Sequence, residues 1–256
     1  MKELIVETRG NALWITIDRP ARRNAMTEPV ILGIADALAQ AGRDPAVRVA
    51  VVTGAGDKAF CAGADLQTGT SFEFDYATPS LPFANLLRAA HAATVPLVAR
   101  VNGACMAGGM GLLAMCDMAV AAEHAIFGLP EVKVGVFPMQ VLSCLQRIVP
   151  SRALYELCLT GEPVDARQAQ AIGLVNHLAP AQELDARVDW LVGRLADKSP
   201  AAIRRGRYAM RRIEAMSFEE SISFTESQIG LVSMTKDARE GLLAFREKRK
   251  PVWTGS

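Results

Sequence analysis

Val101 to Asp117 reads VNGACMAGGMGLLAMCD, and fourteen residues further on Glu131 stands in the run FGLPE. Four glycines, Gly103, Gly108, Gly109 and Gly111, separate an apolar run that reads as a strand, Pro96 to Val101, from one that reads as a buried helix, Met110 to Cys116. A chain passing from strand through glycine to helix exposes unpaired backbone N–H groups at the helix start, where the macrodipole also favours negative charge. The stretch is therefore a place to hold an anion. The glycines alone do not say which one. Gly103 and Gly108 have the spacing of a phosphate-gripping loop, but Gly109 and Met110 stand where that loop needs Lys and a hydroxyl, and GxGxxG is absent from the stretch. The plainer alternative is that the glycines only let a helix pack closely on a sheet.

Half of the 256 residues are apolar, enough for a large core in one domain of about 250 residues or in a domain with an appendage. With 28 basic residues against 27 acidic ones, a net charge of +1, the balance argues against nucleic acid as a main partner. The N-terminal run MKELIVETRG lacks a signal-peptide apolar core, and no run of about 18 apolar residues offers a membrane span. A soluble cytoplasmic protein is expected. Cys61, Cys105, Cys116, Cys144 and Cys158 are odd in number and never closer than eleven residues, which fits reduced core residues and neither a disulfide framework nor a metal site. His91, His124 and His177 form no metal or triad motif and are expected to be structural or surface residues.

Along the chain, Glu3 to Thr8 and Ala12 to Asp18 read as a strand hairpin about Arg9-Gly10-Asn11. Thr27 is placed to cap a helix reaching about Ala41, which leaves Arg22 and Arg23 in an exposed loop. Val47 to Thr53 is a buried strand. It leads into AFCAGADL at Ala59 to Leu66, a second small-residue segment whose free amides could face the same pocket as the first. Gln67 to Pro82, with Phe72, Phe74 and Tyr76, reads as a long loop or short helix over a site, or alternatively as a variable disordered insert. Leu81 to Ala93 is helical, and Met118 to Ala122 and Ala125 to Gly128 are short strands. Beyond Glu131, Ser151 and Asp165 are expected to cap helices, and from Gln182 onward the chain is helical. Arg204, Arg205, Arg207, Arg211 and Arg212 read as a solvated face. Phe218, Ile222, Ile229 and Val232 form a stripe that is first of all core, or else buried against another subunit.

AFCAGADL, VNGACMAGGMGLLAMCD and FGLPEVKVG, in that order, make the chain strongly resemble the crotonase family, the enoyl-CoA hydratases and isomerases. The resemblance extends from RRNAMT through LTGEPVDARQAQAIGLVNHL to the ending EGLLAFREKRKPVWTG. It implies an α/β fold, a crotonase-type spiral of ββα units with a helical C-terminal region. Residues 1–195 would be the spiral core with the CoA site and 196–256 a helical assembly region, in homotrimers or homohexamers. Family members bind acyl-CoA thioesters and hold an enolate-like oxyanion on two backbone N–H groups. By motif position these are implied to be those of Ala64 and Gly108. The resemblance further implies that Ala25, Ala62, Asp65, Leu66, Gly109 and Pro130 line the substrate. Arg22 or Arg23 would lie near the nucleotide end, Met139 at the acyl pocket, and Lys248 against phosphate. No metal and no cofactor is implied beyond the CoA carried by the substrate.

Two departures from the family pattern stand out. Hydratases of the family commonly use two glutamates, one three residues after the position of Gly108 and one in the PE dipeptide; here the first is Gly111 and only Glu131 remains. Met139 to Leu142 also replaces a usual glycine-rich run, implying a differently shaped acyl pocket. The expected activity is hydration of a 2-enoyl-CoA with Glu131 as the single acid/base, the alternatives being double-bond isomerisation or acyl-CoA binding without catalysis. Apolar neighbours in sequence, Phe127 and Leu129, are expected to raise the Glu131 pKa.

Overall fold

The structure, a computed structural model, describes residues 3–65, 77 and 80–256. Leu66 and the aromatic run Phe72 to Tyr76, with the reading of a loop over the site, lie outside the described residues.

A two-strand, one-helix unit recurs. β1 (Leu4–Arg9) and β2 (Ala12–Ile17) form the expected antiparallel hairpin, followed by α1 (Glu28–Arg43). The next units are β3 (Val49–Gly54), β4 (Ala59–Cys61) and α2 (Pro82–Ala92), then β5 (Leu97–Val101), β6 (Ala104–Met106) and α3 (Gly108–Ala114). A fourth contains β7 (Met118–Ala122), β8 (Ile126–Gly128) and α4 (Met139–Leu145). The longer strands go to one sheet and the shorter to another. With β9 (Val164–Asp165) and β10 (His177–Ala179), the orders are β1-β2-β3-β5-β7-β10 and β4-β6-β8-β9.

The sequence dictates this layering. All six residues of β3, VAVVTG, are buried, as a parallel strand covered on both faces requires. Alternate residues serve different cores. Leu13, Ile15, Ala50, Val52, Leu97 and Ala99 join the main core with α1 to α3, whereas Trp14, Val49, Val51, Val98 and Val120 pack with Leu184, Val188 and Leu191 of α7 (Leu184–Ala196).

Several local expectations change. Thr27 does occupy the N-cap position of α1, but its hydroxyl donates to Glu3 Oε2 at 2.7 Å and makes no cap. α5 (Ser151–Thr160) has Pro150 at its N-cap, so Ser151 is already helical. Asp165 does cap α6 (Ala166–Ala171), in a reciprocal box with Gln168.

The C-terminal region is α8 (Pro200–Ile213), α9 (Phe218–Ser233) and α10 (Lys236–Glu247). The arginines of α8 are not all a solvated face: Arg207 is buried, and it and Arg211 both reach Asp117. Conversely the stripe on α9 is not core in the single chain, where Phe218 and Ile229 are 79% and 67% exposed. Among the described residues, no helix is long and apolar enough to cross a membrane.

Candidate active site

Three neighbouring strands of the smaller sheet, β4, β6 and β8, run parallel, so their carboxyl ends lie side by side. β4 opens into Ala62 to Asp65, β6 into Ala107 and Gly108, and β8 into Leu129 to Glu131. The site expected from sequence is thus gathered on one edge, where loops after parallel strands commonly hold ligands. Ala107 N–H donates to Gly128 O at 2.9 Å, tying the second loop to the third strand.

The first two loops touch. A Cβ built on Gly63 would lie 2.8 Å from Ala107 Cβ and 3.2 Å from Gly108 N, and one built on Gly108 would lie 3.7 Å from Ala64 N. Gly109 is held tighter still, since a Cβ there would come within 2.2 Å of Cys61 O; only glycine fits. Among the described residues, neither the Ala64 nor the Gly108 N–H has a hydrogen-bond acceptor. Two unengaged amides on adjoining loops, one at the start of α3, can together receive an oxyanion.

The segment from Arg19 to Met26 braces the first loop. Ala62 N–H donates to Arg23 O at 3.0 Å, Met26 N–H to Gly63 O at 2.7 Å, and Asp65 N–H to Met26 O at 2.9 Å. Asp65 is buried and gripped by Arg19 at 2.8 Å and Arg22 at 2.9 Å. Arg22 therefore spends one nitrogen on Asp65, while Arg23 is exposed at φ 49°. Ala25 is buried beside this bracing. Sequence reasoning passed over Arg19 and the fully buried Asn24, whose side-chain amide donates to Ala55 O at 2.9 Å and Ala59 O at 2.6 Å. The visible signal for Asn24 was its place within RRNAMT.

Glu131 lies in a 3₁₀ turn, Pro130–Val134, between fully buried Leu129 and a run of exposed residues. Its Oε2 is buried without a hydrogen-bond partner among the described residues. Burial raises its pKa above the ordinary carboxylate value, against a smaller lowering by its own backbone N–H. An unpartnered carboxyl oxygen on the same edge as two free amides is suited to moving a proton.

Two further expected residues are solvent-exposed. Met139 is 70% exposed at the start of α4, and Lys248 is exposed just past α10, a helix that packs on α8 and α9. Among the described residues, no group of three or more His, Cys, Asp or Glu is placed to hold a metal ion.

The ββα spiral defines the class of protein as crotonase-fold. A crystal structure of an enoyl-CoA hydratase from Mycobacterium tuberculosis H37Rv matches it with a TM-score of 0.90 at 34% identity over all of both chains. In sequence, the chain is 32% identical over the full length of both to 2,3-dehydroadipyl-CoA hydratase of Escherichia coli K12. It is 33% identical to crotonyl-CoA hydratase of Syntrophomonas wolfei over 97% of this chain and 96% of that one. The family model "Enoyl-CoA hydratase/isomerase" matches residues 7–256, and the chain belongs to that family of enzymes.

Proposed function

We propose that the protein adds water across the double bond of a 2-enoyl-CoA thioester, with the carbonyl oxygen held by the N–H groups of Ala64 and Gly108. The Glu131 carboxylate takes a proton from water as the oxygen attacks Cβ, the electron pair moves to the thioester oxygen, and the carboxyl returns the proton to Cα. The result is a 3-hydroxyacyl thioester, with H and OH accounted for. The observation that carries this reading is the convergence of two free amides and one unpartnered carboxyl on the ends of three adjacent parallel strands. Two preorganised donors matter most where charge develops, and losing one costs on the order of a hundredfold in rate.

A second reading, double-bond isomerisation, is favoured by Gly111, since one carboxyl that takes a proton from one carbon and returns it to another suffices there. Mass spectrometry after incubation with 2-enoyl-CoA decides: gain of water supports hydration, and an unchanged mass with a moved double bond supports isomerisation. Glu131→Gln is expected to lower kcat by about a hundredfold or more. It should keep or raise stability at neutral pH. A carboxyl whose folded pKa is raised stabilises the fold below its unfolded pKa, and that contribution is lost as pH rises through the folded value. The wild-type kcat/KM should fall as pH drops through a value above the ordinary carboxylate range. Full turnover by Glu131→Gln would remove Glu131 from the mechanism.

The apolar stripe exposed on α9 supports self-association as a homotrimer or homohexamer. Five free cysteines support a reducing, cytoplasmic setting.

A further inference from the structure

Gly111 lies one turn beyond Gly108 on α3, and the space that a side chain would need there is taken. A Cβ on Gly111 would stand 2.7 Å from Phe83 Cζ, 3.2 Å from Phe83 Cε1 and 3.3 Å from Val141 Cγ2. Phe83 belongs to the first turn of α2 and packs, partly buried, on the main core; Val141 is a buried residue of α4. The missing second carboxylate is therefore not an open gap but an apolar contact between three helices. At about 1.5 Å of rise per residue, Gly111 is about 4.5 Å along the helix from Gly108. That is the distance of the first few acyl carbons from an oxygen on the Gly108 amide.

We propose that Phe83 sets acyl-chain specificity, its ring walling the pocket beside Gly111 so that the enzyme takes a short, uncharged 2-enoyl group. The inference rests on the reading that Gly108 holds the thioester oxygen. The chemistry of the surrounding elements agrees with an uncharged chain. Neither GGMGLLA of α3 nor MQVLSCL of α4 carries a charged residue. On α2 the Arg88 guanidinium is turned to Asn85 Oδ1 at 2.7 Å, on the exposed side. A second carboxylate on the acyl group would meet no cation from these helices. A ring anchored in the core limits length, because a longer chain must displace it or leave the pocket.

The test compares wild type, Phe83→Ala and Phe83→Leu on 2-butenoyl-CoA and 2-decenoyl-CoA by kcat/KM, with the dissociation constants of butanoyl-CoA and decanoyl-CoA read by calorimetry. Wild type should favour the four-carbon chain in both assays; a preference for the ten-carbon chain overturns the assignment of a short acyl group. Each newly buried CH₂ is worth about fourfold in affinity, so the room for about two of them that Phe83→Ala opens should shift the ratio toward the longer chain by about fifteenfold. Phe83→Leu should fall between, and it carries the comparison if Phe83→Ala does not fold. A shift smaller than about threefold in the calorimetric ratio overturns the role of Phe83. Absence of any turnover by wild type would instead overturn the hydratase reading, and the binding ratio would still decide the role of Phe83.

Discussion

Ala107, in the loop just before Gly108, has φ 51° and ψ −125°, a backbone that glycine adopts freely and alanine does not. A residue with a Cβ held in this region carries local strain, here beside one of the two candidate amide donors. Strain of this kind is worth about 1–3 kcal/mol, while glycine adds about 0.5–1 kcal/mol of unfolded-state entropy. Ala107→Gly should therefore stabilise the protein by about 1 kcal/mol, a rise in Tm of about 2–4 °C. A lower Tm would show that the backbone is relaxed with alanine in place. At this scale the sequence was informative where a residue's role follows from its immediate neighbours. Ala64, Gly108 and Glu131 each follow a short strand and come from contiguous motifs. Arg19, Asn24 and Phe83 were not legible, because their partners lie far along the chain: Arg19 meets Asp65 across 46 residues and Asn24 meets Ala59 across 35. Nothing local to PFANLL says that its ring will rest on Gly111.

Among elements, the longer strands, the helices and the short strand β8 were readable from period and composition, but β4 and β6 were not. β4 and β6 have three residues each, too few to show a period, and they sit within glycine and alanine segments that read as loops. Each follows a longer strand along the chain, and each leads into the candidate site. The docking of α8 was misread for a related reason, since five arginines on one helix look like a surface. Arg207 Nε donates to Asp117 at 2.8 Å, and its other nitrogens reach the carbonyls of Ala90, His91 and Ala93 at the end of α2. Asp117 also accepts from Leu97 N–H at 2.8 Å, so one carboxylate joins β5 to α8. Arg207→Met should cost about 3 kcal/mol in urea unfolding, because it strips a largely buried carboxylate of one partner and takes a donor from the carbonyls of Ala90, His91 and Ala93. Arg211→Met should cost clearly less, being more exposed and leaving Arg207 on Asp117. Equal losses would mean that α8 is held by general packing rather than by this clamp.

At the scale of the whole molecule, the C-terminal helices leave apolar side chains exposed. α9 has no buried residue, yet Phe218, Ile222 and Ile229 follow at spacings of four and seven and share one face. Phe245 beyond it on α10 is 85% exposed and Met234 between the helices is 69% exposed. A stripe with this periodicity is the signature of a buried helix face, and among the described residues nothing buries it. A second copy is the occupant that satisfies every chain in a closed assembly at once. Sedimentation velocity should give the wild type a mass of three or six times 27.5 kDa. The double variant Phe218→Asp, Ile229→Asp places charge where the stripe is most exposed, so the folded single chain should tolerate it while the assembly does not. Its mass should fall toward 27.5 kDa with helical content retained. A wild type that sediments as a single chain would refute self-association. A variant that keeps the full mass would instead move the interface away from α9.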